Sequence, residues 1–153
     1  MKIDLSLMTL TLATIGLGAV AGLASAGEFV ALKATYEPPA KKGADGAIAV
    51  TFTPLQPKIV INENPAPRLK LEDGQTVLED RQPPRKTVRP PADPANAKHL
   101  DPQVPVRFAV APRPDAAHGK HTVTAHVTYF FCSKLQEWCR KGTEDVKVDV
   151  LIP

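Results

Sequence analysis

The chain has few aromatic residues, little net charge and only two cysteines among its 153 residues. Aromatic residues make up 5% of the sequence, so a hydrophobic core must be mostly aliphatic. A formal net charge of +3 argues against a dedicated nucleic-acid-binding protein. The sequence also lacks a Gly-rich phosphate loop, a Ser-His-Asp signature and paired catalytic carboxylates. Thiol chemistry is therefore the one enzymatic chemistry that the sequence indicates.

Helical patterns are missing as well. The 16 prolines discourage helix interiors, and no helical hydrophobic period continues for more than two turns. Hydrophobic residues nevertheless amount to 43%, which is enough to build a core and excludes a wholly disordered chain. The composition therefore favours a folded protein that is not a helical bundle.

Residues 1–26 have the pattern of an export signal. Lys2 gives a positive start, residues 5–26 carry no charge, and Ala24-Ser25-Ala26 forms a small-x-small cleavage site before Gly27. A retained membrane anchor is the alternative, because about 20 apolar residues can span a bilayer. Three glycines in the segment favour cleavage over anchoring. We expect a periplasmic or secreted protein that is soluble, without stable membrane insertion, once the signal is cleaved.

Alternating apolar and polar residues indicate short β-strands through most of the remaining chain. The predicted strands are 29–35, 46–53, 58–62, 69–71, 76–78, 104–110, 120–132 and 145–152. Residues 81–103 are rich in proline, arginine and lysine, which predicts a long, extended basic loop. This loop either is simply solvated or contacts anionic lipid or an acidic partner. The pattern predicts one all-β domain over residues 27–153, an antiparallel β-sandwich with this proline-rich loop.

The two cysteines, Cys132 and Cys139, have six residues between them and lie between the two strongest predicted strands. In an exported protein they are expected to pair. A hairpin of this length brings the two Cα atoms into the disulfide range of about 4.4–6.8 Å. Without a bulge, Cys132 lies on the face of its strand that carries Thr128 and Phe130, away from the core, so the disulfide is expected to lie near the surface.

The residues around the cysteines suggest how the pair could react. Positive neighbours stabilise a thiolate and so assist thiol–disulfide exchange. Three cations flank the pair, namely Lys134, Arg140 and Lys141. Three aromatic residues could shield the sulfurs or form an apolar docking rim, namely Phe130, Phe131 and Trp138. The alternative is a structural disulfide, which would stabilise the fold by about 2.5 kcal/mol through closure of an eight-residue loop.

The four histidines raise a third possibility, in which the dithiol and a histidine carry a metal ion. They are His99, His118, His121 and His126. His121 and His126 have opposite strand parity, and His118 precedes a turn, so exposed turn and strand histidines are the preferred interpretation. We predict no metal site and no cofactor.

Two parts of the chain, residues 46–78 and 104–152, carry a resemblance to a known family. The motifs are AIAVTFTP (47–54), INENP (61–65), LKL (69–71), GKHTVTAHVTYFFC (119–132) with Cys139, and VKVDV (146–150). They resemble the N-terminal exported domain of the DsbD-type thiol:disulfide interchange reductase. That domain has an immunoglobulin-like sandwich fold with a redox-active cysteine pair in its last hairpin. The resemblance implies that Cys132 and Cys139 are the redox pair of this chain.

The resemblance also implies partners. The family domain passes reducing equivalents to exported disulfide proteins, so we expect a thioredoxin-like donor or acceptor and no nucleic acid. Here the cysteine spacing is one residue longer than in the family pattern, and the residues of the family's cap over the disulfide have no evident counterpart. The sequence therefore predicts an exported thiol:disulfide exchange protein, which could act as an oxidoreductase or as a carrier. The alternative is a non-catalytic immunoglobulin-like binding module with a structural hairpin disulfide.

Overall fold

The computed structural model describes residues 26–41, 44–79, 83–84 and 98–153. The predicted export signal lies outside these residues, apart from Ala26, and so does most of the predicted loop 81–103. Seven strands follow a short 3-10 helix at Ala26–Glu28. They are β1 (Val30–Glu37), β2 (Gly46–Pro54), β3 (Ile59–Ile61), β4 (Arg68–Leu71), β5 (Val106–Val110), β6 (Gly119–Ser133) and β7 (Trp138–Ile152). No helix in the described part of the chain is long and apolar enough to cross a membrane.

The seven strands form two antiparallel sheets. The first has the order β1-β2-β5. In the second, β6 is central: β7 pairs with one edge along its full length, while β3 and β4 pair with the other edge at different heights. The prediction of an antiparallel all-β fold is confirmed, and the immunoglobulin-like sandwich arrangement stays a prediction.

One hydrophobic cluster takes side chains from both sheets. Along β6 the buried residues alternate with half-buried ones, as the period of two in its sequence predicts. The inward residues of this strand are Val123, Ala125, Val127, Tyr129 and Phe131. The buried positions of β7 are Val146, Val148, Val150 and Ile152, which are the four that share one face in the sequence. Aliphatic side chains thus dominate the core, as the low aromatic content requires.

Strand β2 is buried on both faces at its first half. Ile48 and Val50 belong to the core, whereas Ala47 and Ala49 lie on the opposite face and are also buried. Glu37 pairs with Ala47 in β1, and Arg107 pairs with Ala49 in β5. The Arg107 guanidinium donates hydrogen bonds to both carboxylate oxygens of Glu37 at 2.9–3.2 Å, so the ion pair spans β2 above the two small side chains. Alanine at these positions leaves room for this pair.

One prediction about the elements needs correction. The predicted strand 76–78 is only a single bridge, between Leu78 and Pro112. The end of the predicted loop 81–103 contacts the second sheet, because His99 forms an isolated bridge with Asn62 and the Leu100 N–H donates to the Ile61 carbonyl at 2.8 Å. These bonds add a short extension beside β3, and Leu100 packs against the core.

Candidate functional site

The long hairpin of β6 and β7 positions the two cysteines. The two strands pair over 15 positions without a bulge, and this register places Cys132 directly opposite Cys139. Four residues, 134–137, connect the strands, and Glu137 adopts a positive φ of 56° at the end of this turn. The Gln136 N–H donates to the Ser133 hydroxyl at 3.1 Å. The continuous register and this turn together place the two cysteines opposite each other near the end of the hairpin.

Cys132 and Cys139 form a disulfide, with an S–S distance of 2.02 Å. The predicted pairing is therefore present in the structure. Their Cα atoms are 4.0 Å apart, which is below the range of about 4.4–6.8 Å that we expected from the spacing. It is also below the separation of about 4.5–5.5 Å that is usual for directly opposed residues of an antiparallel pair.

The two cysteines differ in exposure. Cys139 is exposed, whereas only 8% of the surface of Cys132 is accessible. Cys132 lies on the central strand, where Val60 of β3 is its partner on one side and Cys139 on the other. Cys139 lies on β7, which pairs only with β6 among the described strands. Cys132 lies on the strand face away from the core, as predicted, and is itself buried, whereas the exposed Cys139 brings the disulfide near the surface, as expected.

Asn62 completes the surroundings of the buried sulfur. Its side-chain oxygen, Oδ1, lies 3.3 Å from Cys132 Sγ. The backbone of Asn62 is held in place on both sides, by its N–H bond to the Phe130 carbonyl at 2.8 Å and by the bridge to His99. The sequence analysis did not identify Asn62, because nothing in the spacing of residues 58–62 indicates that this strand lies beside the cysteine.

The aromatic residues next to the cysteines do not shield the sulfurs as a group. Phe131 and Trp138 lie on the core face of the hairpin, where each packs against Phe29 with ring centroids 5.1–5.7 Å apart. Only Phe130 shares the face of Cys132. The expectation of a three-residue aromatic shield is therefore wrong, since a residue adjacent to either cysteine points to the opposite face of its strand.

The charges near the disulfide are also distributed over two faces. Arg140 stacks on the Trp138 ring, 4.3 Å from its centroid, on the core side of the hairpin. Lys141 alternates with Arg140 and so lies on the face of Cys139, and Lys134 follows β6 directly. Burial, and then the positive charges of Lys134 and Lys98, lower the pKa of His99. The disulfide face thus keeps a positive local potential, to which Arg140 does not contribute directly.

The histidines are distributed as the strand parity predicts. His126 forms an ion-pair contact with Asp145, His121 bonds through Nε2 to the Ala117 carbonyl at 2.7 Å, and His118 contacts the Pro153 carbonyl. His99 is the one that lies near the cysteine pair, through Asn62. In the described part of the chain, no group of three or more His, Cys, Asp or Glu side chains is arranged to hold a metal ion.

Comparison with known proteins adds no relative to this picture. No protein-family model, curated protein or solved structure matches the chain. The function therefore has to be argued from the geometry of the hairpin and its disulfide.

Proposed function

We propose that the protein is a thiol:disulfide exchange protein whose Cys132–Cys139 pair alternates between disulfide and dithiol. The observation that carries the proposal is the unequal exposure of the two cysteines: Cys139 is exposed, and Cys132 is buried beside Val60 and Asn62. Exchange requires in-line approach of a partner thiolate to one sulfur while the other leaves. A disulfide between one exposed and one buried cysteine suits this requirement and favours attack at Cys139.

The exchange proceeds in two steps. A partner thiolate attacks Cys139 Sγ, the bond between the two cysteines breaks, and a mixed disulfide forms as Cys132 leaves with the electron pair and takes up a proton. The partner's second thiolate then attacks the partner's own sulfur in the mixed disulfide. Cys139 is released as a thiolate, and the partner is left with an internal disulfide. Two electrons have moved from the partner dithiol to Cys132 and Cys139, and the reverse sequence reduces a partner disulfide.

The local charges support this chemistry. Lys141 and Lys134 lie around the disulfide, and positive charge favours both the approach of a thiolate and the departure of one. Leu135, 73% exposed at the end of the hairpin, gives a partner an apolar contact beside the reactive sulfur. The partner is a thioredoxin-like exported protein in this proposal, in line with the resemblance to the DsbD-type domain, and the compartment is the periplasm or the exterior of the cell.

A structural disulfide is the second candidate. The observation in its favour is the register, because the disulfide joins directly paired residues of a 15-position hairpin and closes only a short loop. In that case the protein would be a non-catalytic binding module. A structural disulfide does not require the two cysteines to differ in exposure, whereas directed exchange does, and for this reason we favour exchange.

A trapping experiment tests the proposed function. The probe is a purified thioredoxin in which the second active-site cysteine is replaced by serine, so that the mixed disulfide cannot resolve. With the oxidised wild-type protein we expect a covalent complex within minutes, and peptide mapping should place the thioredoxin on Cys139. The same protein, reduced and alkylated beforehand, is the control and should form no complex.

Two outcomes would count against the proposal. Absence of a complex under native conditions would mean that the disulfide does not exchange. A complex that forms only after addition of denaturant would show that the sulfurs react as an unfolded chain, which is the behaviour of a structural disulfide.

A further inference from the structure

The side chain of Asn62 approaches the buried sulfur closely enough to act on it. Cys132 Sγ and Asn62 Oδ1 are 3.3 Å apart, within the distance of a hydrogen bond to sulfur. In the disulfide the sulfur carries no hydrogen, so this contact is not a hydrogen bond in the oxidised protein. Reduction changes this, because the Cys132 thiol gains an S–H group that faces an amide oxygen already in place.

We propose that Asn62 is a positioning residue for the exchange: its amide receives the Cys132 sulfur on reduction, stabilises the dithiol state and keeps this thiol turned away from solvent. The inference rests on the proposed function and adds a residue that determines which form of the pair is favoured. A thiol is a weak hydrogen-bond donor. In a half-buried site, however, the free-energy cost of leaving a polar group without its partner exceeds the net contribution of the bond itself.

The backbone around Asn62 makes the arrangement rigid. Its N–H is bonded to β6 at the Phe130 carbonyl, and the adjacent extension pairs with it through His99. The side chain therefore leaves from a fixed point on the same sheet face as Cys132. A residue placed in this way can hold the sulfur without the loss of freedom that ordering a mobile loop would require.

Charged residues of both signs lie on the elements around this pair. Lys134 follows β6, Lys141 comes from β7, and Lys98 and His99 come from the extension beside β3, while Glu63 follows Asn62 and Glu137 lies in the turn. Burial and the two lysines Lys134 and Lys98 lower the pKa of His99. Asn62 itself is a neutral partner for the sulfur, and a carboxylate at the same position would act differently from an amide.

Replacement of Asn62 tests the inference through the redox equilibrium. In Asn62→Leu the sulfur keeps a neighbour of similar size but loses the polar partner. We expect the equilibrium constant for reduction by dithiothreitol to fall about fivefold, which corresponds to about 20 mV at 29.6 mV per tenfold change. Thr128→Val is the control, because Thr128 lies on the same face of β6 as Cys132 but pairs with Arg68 and Thr143. Its equilibrium constant should stay within twofold of the wild type.

Asn62→Asp separates the polar role from packing. The carboxylate oxygen still accepts the thiol hydrogen, so the equilibrium constant should return to within about twofold of the wild type. Its negative charge disfavours a thiolate, so alkylation of Cys132 in the reduced protein should slow about tenfold at pH 8. In Asn62→Leu the same alkylation should be faster than in the wild type, since the thiol is no longer held. Circular dichroism and peptide mapping verify the fold and the alkylated site.

The outcomes distinguish this inference from the function on which it rests. If wild-type protein exchanges with thioredoxin but Asn62→Leu matches Thr128→Val in the redox equilibrium, the role of Asn62 is contradicted and the exchange function stands. If the wild-type pair is reduced only when the protein unfolds, both are contradicted. Should Asn62→Leu fail to fold, an unchanged alkylation rate of Cys132 in Asn62→Asp overturns the inference by itself.

Discussion

At the scale of single residues, Tyr129 connects the core to the hairpin that carries the disulfide. Its side chain is fully buried, packs edge-on against Phe52 at a centroid distance of 5.2 Å and donates a hydrogen bond from its hydroxyl to Glu144 at 2.6 Å. A buried hydroxyl requires such a partner, since an unsatisfied one would cost about 1–3 kcal/mol. Tyr129 thus ties β6 to β7 three positions from Cys132.

This environment predicts how stability depends on alkaline pH. Burial first, and then the hydrogen bond and charge of Glu144, raise the pKa of Tyr129 above its ordinary range. In the unfolded chain the phenol loses its proton near a pH of about 10, before it does so in the folded protein. The contribution of Tyr129 is therefore complete below pH 10 and is lost as the pH rises further, by about 1.4 kcal/mol at pH 11.

Urea denaturation of the wild type and of Tyr129→Phe between pH 9 and 11 measures this contribution. The decline in the free energy of unfolding should be shallower in Tyr129→Phe. Tyr36→Phe is the control, because burial raises the pKa of Tyr36 as well but without a carboxylate partner, so that most of the wild-type decline should remain. Equal slopes for wild type and Tyr129→Phe would refute the assignment.

At the scale of elements, the hairpin was recognisable from the sequence only in part. Alternation of apolar residues identified β6 almost completely and the second half of β7. The first half of β7 was not predicted as a strand, because Arg140, Lys141 and Gly142 interrupt the apolar alternation there. Strand parity could have shown that residues next to a cysteine lie on the other face. The proximity of Asn62 was not predictable, because it depends on which edge of β6 the short β3 occupies.

The position of Gly142 explains why a glycine interrupts the apolar alternation of β7. It lies directly opposite Tyr129, and a Cβ at this position would be 2.5 Å from Tyr129 Cζ. The phenol ring covers the glycine across the strand pair, an arrangement that fills the space left by the missing side chain. A methyl group there would push the ring out of the core.

We therefore expect Gly142→Ala to lower the free energy of unfolding by about 2 kcal/mol, the typical cost of overpacking a core. Thr143→Ala on the same strand is exposed and should change it by less than about 0.5 kcal/mol. Chemical denaturation of both variants measures the difference. Similar stabilities for the two variants would mean that the ring does not pack on the glycine.

At the scale of the whole molecule, the candidate site lies at one end of the second sheet, where the central strand β6 pairs with β3 on one edge and with β7 on the other. Composition predicted an aliphatic core, and period-two patterning predicted an all-β fold, because both follow from local sequence. The pairing of β3 and β4 with one edge of β6 is set by contacts distant in sequence, so it could not be predicted. At the disulfide, Cys132 is paired on both sides and buried, whereas Cys139 is exposed on β7, and this difference is the basis of the proposed exchange.

The reduction potential of the Cys132–Cys139 pair tests the central claim most directly. The measurement equilibrates the folded protein with glutathione or dithiothreitol buffers and determines the fraction of dithiol, while circular dichroism verifies that the reduced protein stays folded. Exchange with partners predicts a potential between about −120 and −270 mV, the range of known exchange proteins. A potential below about −300 mV, or reduction only together with unfolding, would contradict exchange and make the disulfide structural.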